Sequence, residues 1–110
     1  MNKFLFSLLI LLPGISIAAD SPAMKVTEIK TWGNMDLVHV TTSYLSSESI
    51  SSSCENNIWE IIASDSEGKK RVFSMLLSAY TAGKTVKFWY ESDDCGTFNT
   101  QKTSVIRLVQ

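Results

Sequence analysis

The sequence predicts a mainly β domain, a five-stranded OB-type barrel with one α-helix between its third and fourth strands. Three observations predict it. Short β-branched and aromatic runs recur between polar turns, a single stretch changes to a helical period, and a glycine stands where that stretch stops. Closing such strands into a barrel removes the free sheet edges that a small domain would otherwise expose. An open α+β sheet with one helix is the rival arrangement for the same string of elements.

The chain opens on "MNKFLFSLLILLPGISIAADS", with one cation at Lys3, an apolar run from Phe4 to Leu12, a break at Pro13-Gly14 and small residues before Asp20. This order predicts a secretory signal peptide over residues 1–19, cleaved after Ala18 or Ala19, because the apolar run is too short to span a bilayer as a helix. A membrane anchor is the competing reading, but no second apolar segment or basic flank follows. The expected protein is therefore secreted or periplasmic, with no membrane span after cleavage. The absence of a cysteine near the cleavage site argues against a lipoprotein. Residues 20–110 then form one small domain.

The first strand is expected at "KVTEIKTW", residues 25–32, followed by a turn at Gly33-Asn34. The second falls in "MDLVHVTT", residues 35–42, with Leu37, His39 and Thr41 on one face and Val38 and Val40 between them. From Ser43 to Ser53 there are seven serines in eleven positions, which predicts a solvated loop rather than a packed element. An interdomain linker is the alternative, but too few residues flank it for two cores. "NIWEIIA", residues 57–63, reads as the third strand.

The period then changes. Phe73, Leu76, Leu77 and Tyr80 recur at i, i+3, i+4 and i+7, the spacing of an apolar helical stripe, and Gly83 sits at the C-cap position. "TVKFWY", residues 85–90, is the fourth strand. Alternation puts Val86, Phe88 and Tyr90 inside and Lys87, Trp89 and Glu91 outside. "SVIRLV", residues 104–109, is the fifth.

Cys54 and Cys95 are the two cysteines of the chain. An even count in an exported protein predicts a disulfide, and closing a loop of that length restricts the unfolded chain by about 4 kcal/mol in the entropic picture. A metal or redox pair is the alternative, without the close spacing or the extra ligands either would need.

Charge and residue types narrow the function. Without Lys3, nine Lys and Arg face eleven Asp and Glu, a net charge unlike the basic excess with which proteins neutralise phosphates, so no nucleic-acid partner is expected. His39 is the single histidine, in a strand of apolar neighbours that favours a structural role over a general base. Asp93 and Asp94 read as solvated turn residues; a lone cation ligand there would lack oxygens. Phosphate loops, nucleophile elbows and zinc spacings are absent from the sequence. We therefore expect a binding protein without enzymatic activity or cofactor. Trp32, Trp59, Trp89, Tyr44, Tyr80 and Tyr90 offer rings that fill a core or stack on the apolar faces of sugars.

"SISSSCENNIWE", a following helix and "AYTAGKTVKFWYE" resemble the B subunits of AB5 toxins, most closely the subtilase cytotoxin and typhoid toxin branch. The likeness spans about Val26 to Glu91 and is strongest from the helix end through Gly83 to the strand Val86 to Glu91. It implies a secreted OB-fold that assembles as a homopentamer beside a toxin A-like subunit and binds sialylated cell-surface glycans. Tyr90 matches a family tyrosine that contacts the sugar. The family's sugar-binding serine corresponds to Ala23, with Ser21 nearby. The ligand-binding expectation therefore falls on Tyr90 and Ser21, with Trp89 beside them on the outer face, at the surface or at a subunit contact. A monomeric periplasmic accessory or inhibitor protein that binds another protein is the alternative, and oligomeric state separates the two.

Overall fold

The computed structural model of the chain describes residues 18–110. The expected leader, residues 1–19, lies outside them except for Ala18 and Ala19. These two residues begin β1 (Ala18–Asp20). It is followed by β2 (Met24–Thr31), β3 (Val38–Tyr44), β4 (Glu55–Ile61), α1 (Ser66–Ala82), β5 (Thr85–Glu91), β6 (Thr100–Thr103) and β7 (Val105–Val109).

The described residues form a curled, mainly β sheet with one α-helix. Among them there are seven strands rather than the expected five, and the helix lies between the fourth and fifth. The two additional strands are β1 and β6, of three and four residues. Runs that short carry no readable alternation. Backbone pairing creates both: Ala18, Ala19 and Asp20 lie opposite Glu91, Tyr90 and Trp89, and β6 pairs in parallel with the end of β4.

The five strands read from the sequence all form, and their order follows from the pairings. β2 pairs with β3, β3 with β4, and β5 with β1, β2 and β7. Between Val26 and Glu28 the β2–β3 register shifts, so a bulge at Thr27 re-aims the rest of β2. This decides which β2 residues face outward. Beyond the bulge, Glu28 lies opposite Thr41 and Lys30 opposite His39, while Thr41 faces Ile58 and His39 faces Glu60 on β4. Two rows of side chains therefore cross the outer face of the sheet.

The inner face is the core. Trp59, Phe88, Met24, Leu76, Val40 and Val86 are fully buried, and Trp59 packs edge-on against Phe88 at 5.0 Å and Tyr90 at 6.1 Å. The Trp59 indole N–H donates to Thr42 Oγ1 at 3.0 Å, so the largest core side chain leaves no polar atom unpaired. Along β5 the alternation is as the sequence predicts, with Val86, Phe88 and Tyr90 buried and Trp89 exposed.

The helix begins where Asp65 accepts from the Gly68 N–H at 2.7 Å. It ends at Gly83, whose φ of 64° is left-handed. Its buried face differs from the predicted one. Val72, Met75, Leu76 and Ala79 meet the core, whereas Leu77 and Tyr80 are exposed. Both sets obey the helical spacing and differ by one residue, a rotation of about 100°. The helix packs on β2 and β7, and Ala79, small and 1% exposed, allows a closer approach than Tyr80 would.

Candidate functional site

The expected disulfide is present: Cys54 and Cys95 are bonded, with Cα atoms 5.5 Å apart. It joins the residue before β4 to the turn after β5. The serine-rich loop is held to this turn rather than freely solvated. Ile50 is buried. Ser52 Oγ donates to Gln101 Oε1 at 2.7 Å and accepts from the Asp93 N–H at 3.0 Å, and the Ser53 N–H donates to Asp93 Oδ1 at 2.8 Å. Those backbone and side-chain bonds from Ser53 hold the Asp93 carboxyl below its usual range.

The residues expected to hold ligand sit differently from one another. Ser21 is 2% exposed. Its Oγ accepts from the Phe88 N–H at 3.0 Å, while its own N–H donates to the Phe88 carbonyl at 2.8 Å, so Ser21 joins the β1–β2 segment to β5. Tyr90 is 7% exposed, and its phenol accepts from the Ser51 N–H at 3.4 Å. Trp89 is exposed on the outer face, cross-strand from Asp20 and Val105. Ser21 and Tyr90 are thus turned into the molecule and Trp89 away from it. The three share no surface.

A different set of side chains converges on the outer face of β2–β3–β4. A groove of about 420 Å³ is lined by Glu28, Lys30, Trp32, His39, Thr41, Ile58, Phe98 and Thr100. The two outer cross-strand rows supply its floor, Trp32 rises where β2 ends, and Phe98 reaches over from the turn before β6. Trp32 and Phe98 have ring centroids 6.1 Å apart and an interplanar angle of 33°. The His39 ring stands edge-on to both, at 4.8 Å from Trp32 and 6.1 Å from Phe98. Lys30 Nζ lies 4.9 Å from the Trp32 ring centre.

Beneath the rings lies a buried polar pair. His39 Nε2 is 3.2 Å from Glu60 Oε1, and Glu60 also accepts from the Thr97 N–H at 2.9 Å. Gly96 rests on the same carboxyl, at a distance where a Cβ would come within 2.8 Å of it; only glycine permits that approach. Burial pushes the Glu60 carboxyl up, but the hydrogen bonds from His39 and Thr97 outweigh it and hold the group below its usual range. Glu60 therefore fastens both the His39 ring and the turn that carries Phe98.

That turn is strained. Phe98 has φ 59° and Asn99 φ 61°, two successive non-glycine residues in the left-handed region. Phe98 is 67% exposed, so burial offsets little of the strain. Such backbone costs concentrate where a side chain must be aimed.

Trp32 was one of the six aromatics that the sequence offers for core or stacking. Phe98 and Glu60 were not singled out by any pattern. One follows a disulfide-pinned turn without periodicity, and the other looks like an outward strand carboxylate until the turn covers it. Among the described residues, no group of three or more His, Cys, Asp or Glu side chains is placed to hold a metal ion, and no helix is long and apolar enough to cross a membrane. Comparisons of the chain with protein-family models, curated proteins and solved structures give no match.

Proposed function

We propose that the chain is a secreted or periplasmic, non-enzymatic binding module on an OB-type barrel, similar to a toxin B subunit, which recognises cell-surface glycans as an oligomer. The observation that carries the reading is the groove: the exposed ring of Phe98 and the half-buried ring of Trp32 beside hydrogen-bonding side chains on a sheet face. A ring with water on one face stacks on the apolar C–H face of a pyranose, and neighbouring polar groups pair with hydroxyls. OB barrels bind oligosaccharides and oligonucleotides on this kind of strand face, and the acidic charge balance disfavours the latter.

The pairing circuit supports the OB reading. β2 joins β3, β3 joins β4, β4 joins β6, the chain continues from β6 through Ser104 into β7, and β7 joins β5, which returns to β2. The disulfide supports export to an oxidising compartment. A homopentamer with a toxin A-like subunit is the assembly the resemblance implies. Sizing of the oxidised protein together with a glycan array tests the proposal. A ring-sized oligomer with glycan signal is the expected result, whereas a strict monomer without glycan signal favours the accessory or inhibitor protein.

A further inference from the structure

We infer that the groove between Trp32 and Phe98 is a subsite for one neutral pyranose, with Trp32 and Phe98 as its stacking platform and Glu60 as the residue that positions Phe98. The inference rests on the glycan reading above and goes beyond it. It moves the ligand from the Tyr90 region to the opposite sheet face and replaces a sialylated sugar with an uncharged one.

Three observations converge on the site. Phe98 is held in a left-handed conformation while 67% exposed, so its placement gains little from burial. The turn is nonetheless fixed from below, because Glu60 accepts from Thr97 and its carboxyl fills the space against Gly96. His39 then braces both aromatic rings edge-on while it is itself paired with Glu60. A platform pre-set in this way spares a ligand the ordering cost of closing a loose loop.

The choice of a neutral sugar comes from the charges around the platform. Glu28 borders the groove and Glu60 lies beneath it, held in its charged form by its hydrogen bonds. The one ammonium of the lining, Lys30, already sits by the Trp32 ring. A ligand carboxylate would meet the Glu28 carboxylate at the groove's border, with the Lys30 cation already beside Trp32 and Glu60 paired with His39 below. Like-charge approach in a partly desolvated site is unfavourable. Sugar hydroxyls suit the same groups: the Glu28 carboxylate accepts, Lys30 donates, and the Thr41 hydroxyl, which donates to Glu28 at 3.3 Å, does either.

The test titrates the oxidised protein with a panel of neutral methyl hexopyranosides and with the methyl glycoside of N-acetylneuraminic acid, followed by calorimetry and tryptophan fluorescence. At least one neutral hexoside should bind about tenfold more tightly than the sialoside. Phe98→Gly should weaken that binding about tenfold without lowering Tm, since glycine relieves the left-handed strain. Trp32→Ala should abolish it, Glu60→Gln should weaken it, and Tyr90→Phe should leave it unchanged. If Trp32→Ala fails to fold, Phe98→Gly decides alone. A sialoside bound as tightly as any neutral sugar, or neutral binding indifferent to Phe98→Gly, overturns the subsite and leaves the glycan reading standing. Absence of neutral-hexoside binding beside a positive glycan array also overturns only the subsite, and absence of both overturns the two together.

Discussion

The disulfide-pinned rim around Tyr90 and the groove around Phe98 are built from similar residues, yet they treat polar and aromatic groups in opposite ways. At the rim, the Ser51 N–H donates to Tyr90, Ser52 to Gln101, Gln101 to the Glu91 carbonyl and the Phe88 N–H to Ser21, and Tyr90 is buried. In the groove, Phe98 is 67% exposed on left-handed backbone, beside the half-buried ring of Trp32. The difference is one of availability: at the rim the phenol and the serine hydroxyls are already hydrogen-bonded, whereas in the groove an exposed ring beside Trp32 and His39 remains open to a ligand.

The rim should fail first and most severely. Cys54→Ser or Cys95→Ser should lower unfolding free energy by about 2–5 kcal/mol, measured by denaturant titration. A change under about 1 kcal/mol would mean that the serine-loop hydrogen bonds hold the rim without the bond. Next in size, Leu76→Ala should cost about 2–5 kcal/mol, while Leu77→Ala, on an exposed position, should cost under about 0.5 kcal/mol. Equal costs would return the helix to the stripe first expected.

Tyr90→Phe should cost about 0.5–1.5 kcal/mol, the loss of one hydrogen bond to the Ser51 N–H, and leave sugar affinity unchanged. Glu60→Gln sharpens the comparison through pH. Glu60 has its carboxyl held below the ordinary 4.5, so its stabilisation is fully present above that value and is lost as pH falls through the lower folded-state value. Glu60→Gln should flatten this part of the acid unfolding profile. An unchanged profile would assign the acid sensitivity elsewhere. The smallest effect belongs to Phe98→Gly, whose Tm should hold or rise slightly as left-handed strain is released.

Much of the fold was legible. The β-branched runs at 57–63 and 104–109, the alternation through Val86, Phe88 and Tyr90, the helix stop at Gly83 and the cysteine pair each have a local physical cause that the sequence carries. The helix face was read one residue late because Phe73, Leu76, Leu77 and Tyr80 match the same period as the buried set. Only contact with β2 and β7 separates the two. β1 and β6 were missed because short strands exist through their partners. The groove itself was not legible: the union of Trp32 with Phe98 depends on a non-periodic turn and on a glycine resting against a buried carboxylate, neither of which leaves a pattern in the sequence.

The three tryptophans offer the most direct test, because they occupy the groove, the core and the exposed face of β5. In a proton–nitrogen NMR titration with the tightest-binding neutral hexoside, the indole N–H of Trp32 should shift with saturation, while those of Trp59 and Trp89 stay in place. Movement of the Trp89 resonance with Trp32 unmoved would contradict the account and return the ligand to the surface beside Tyr90.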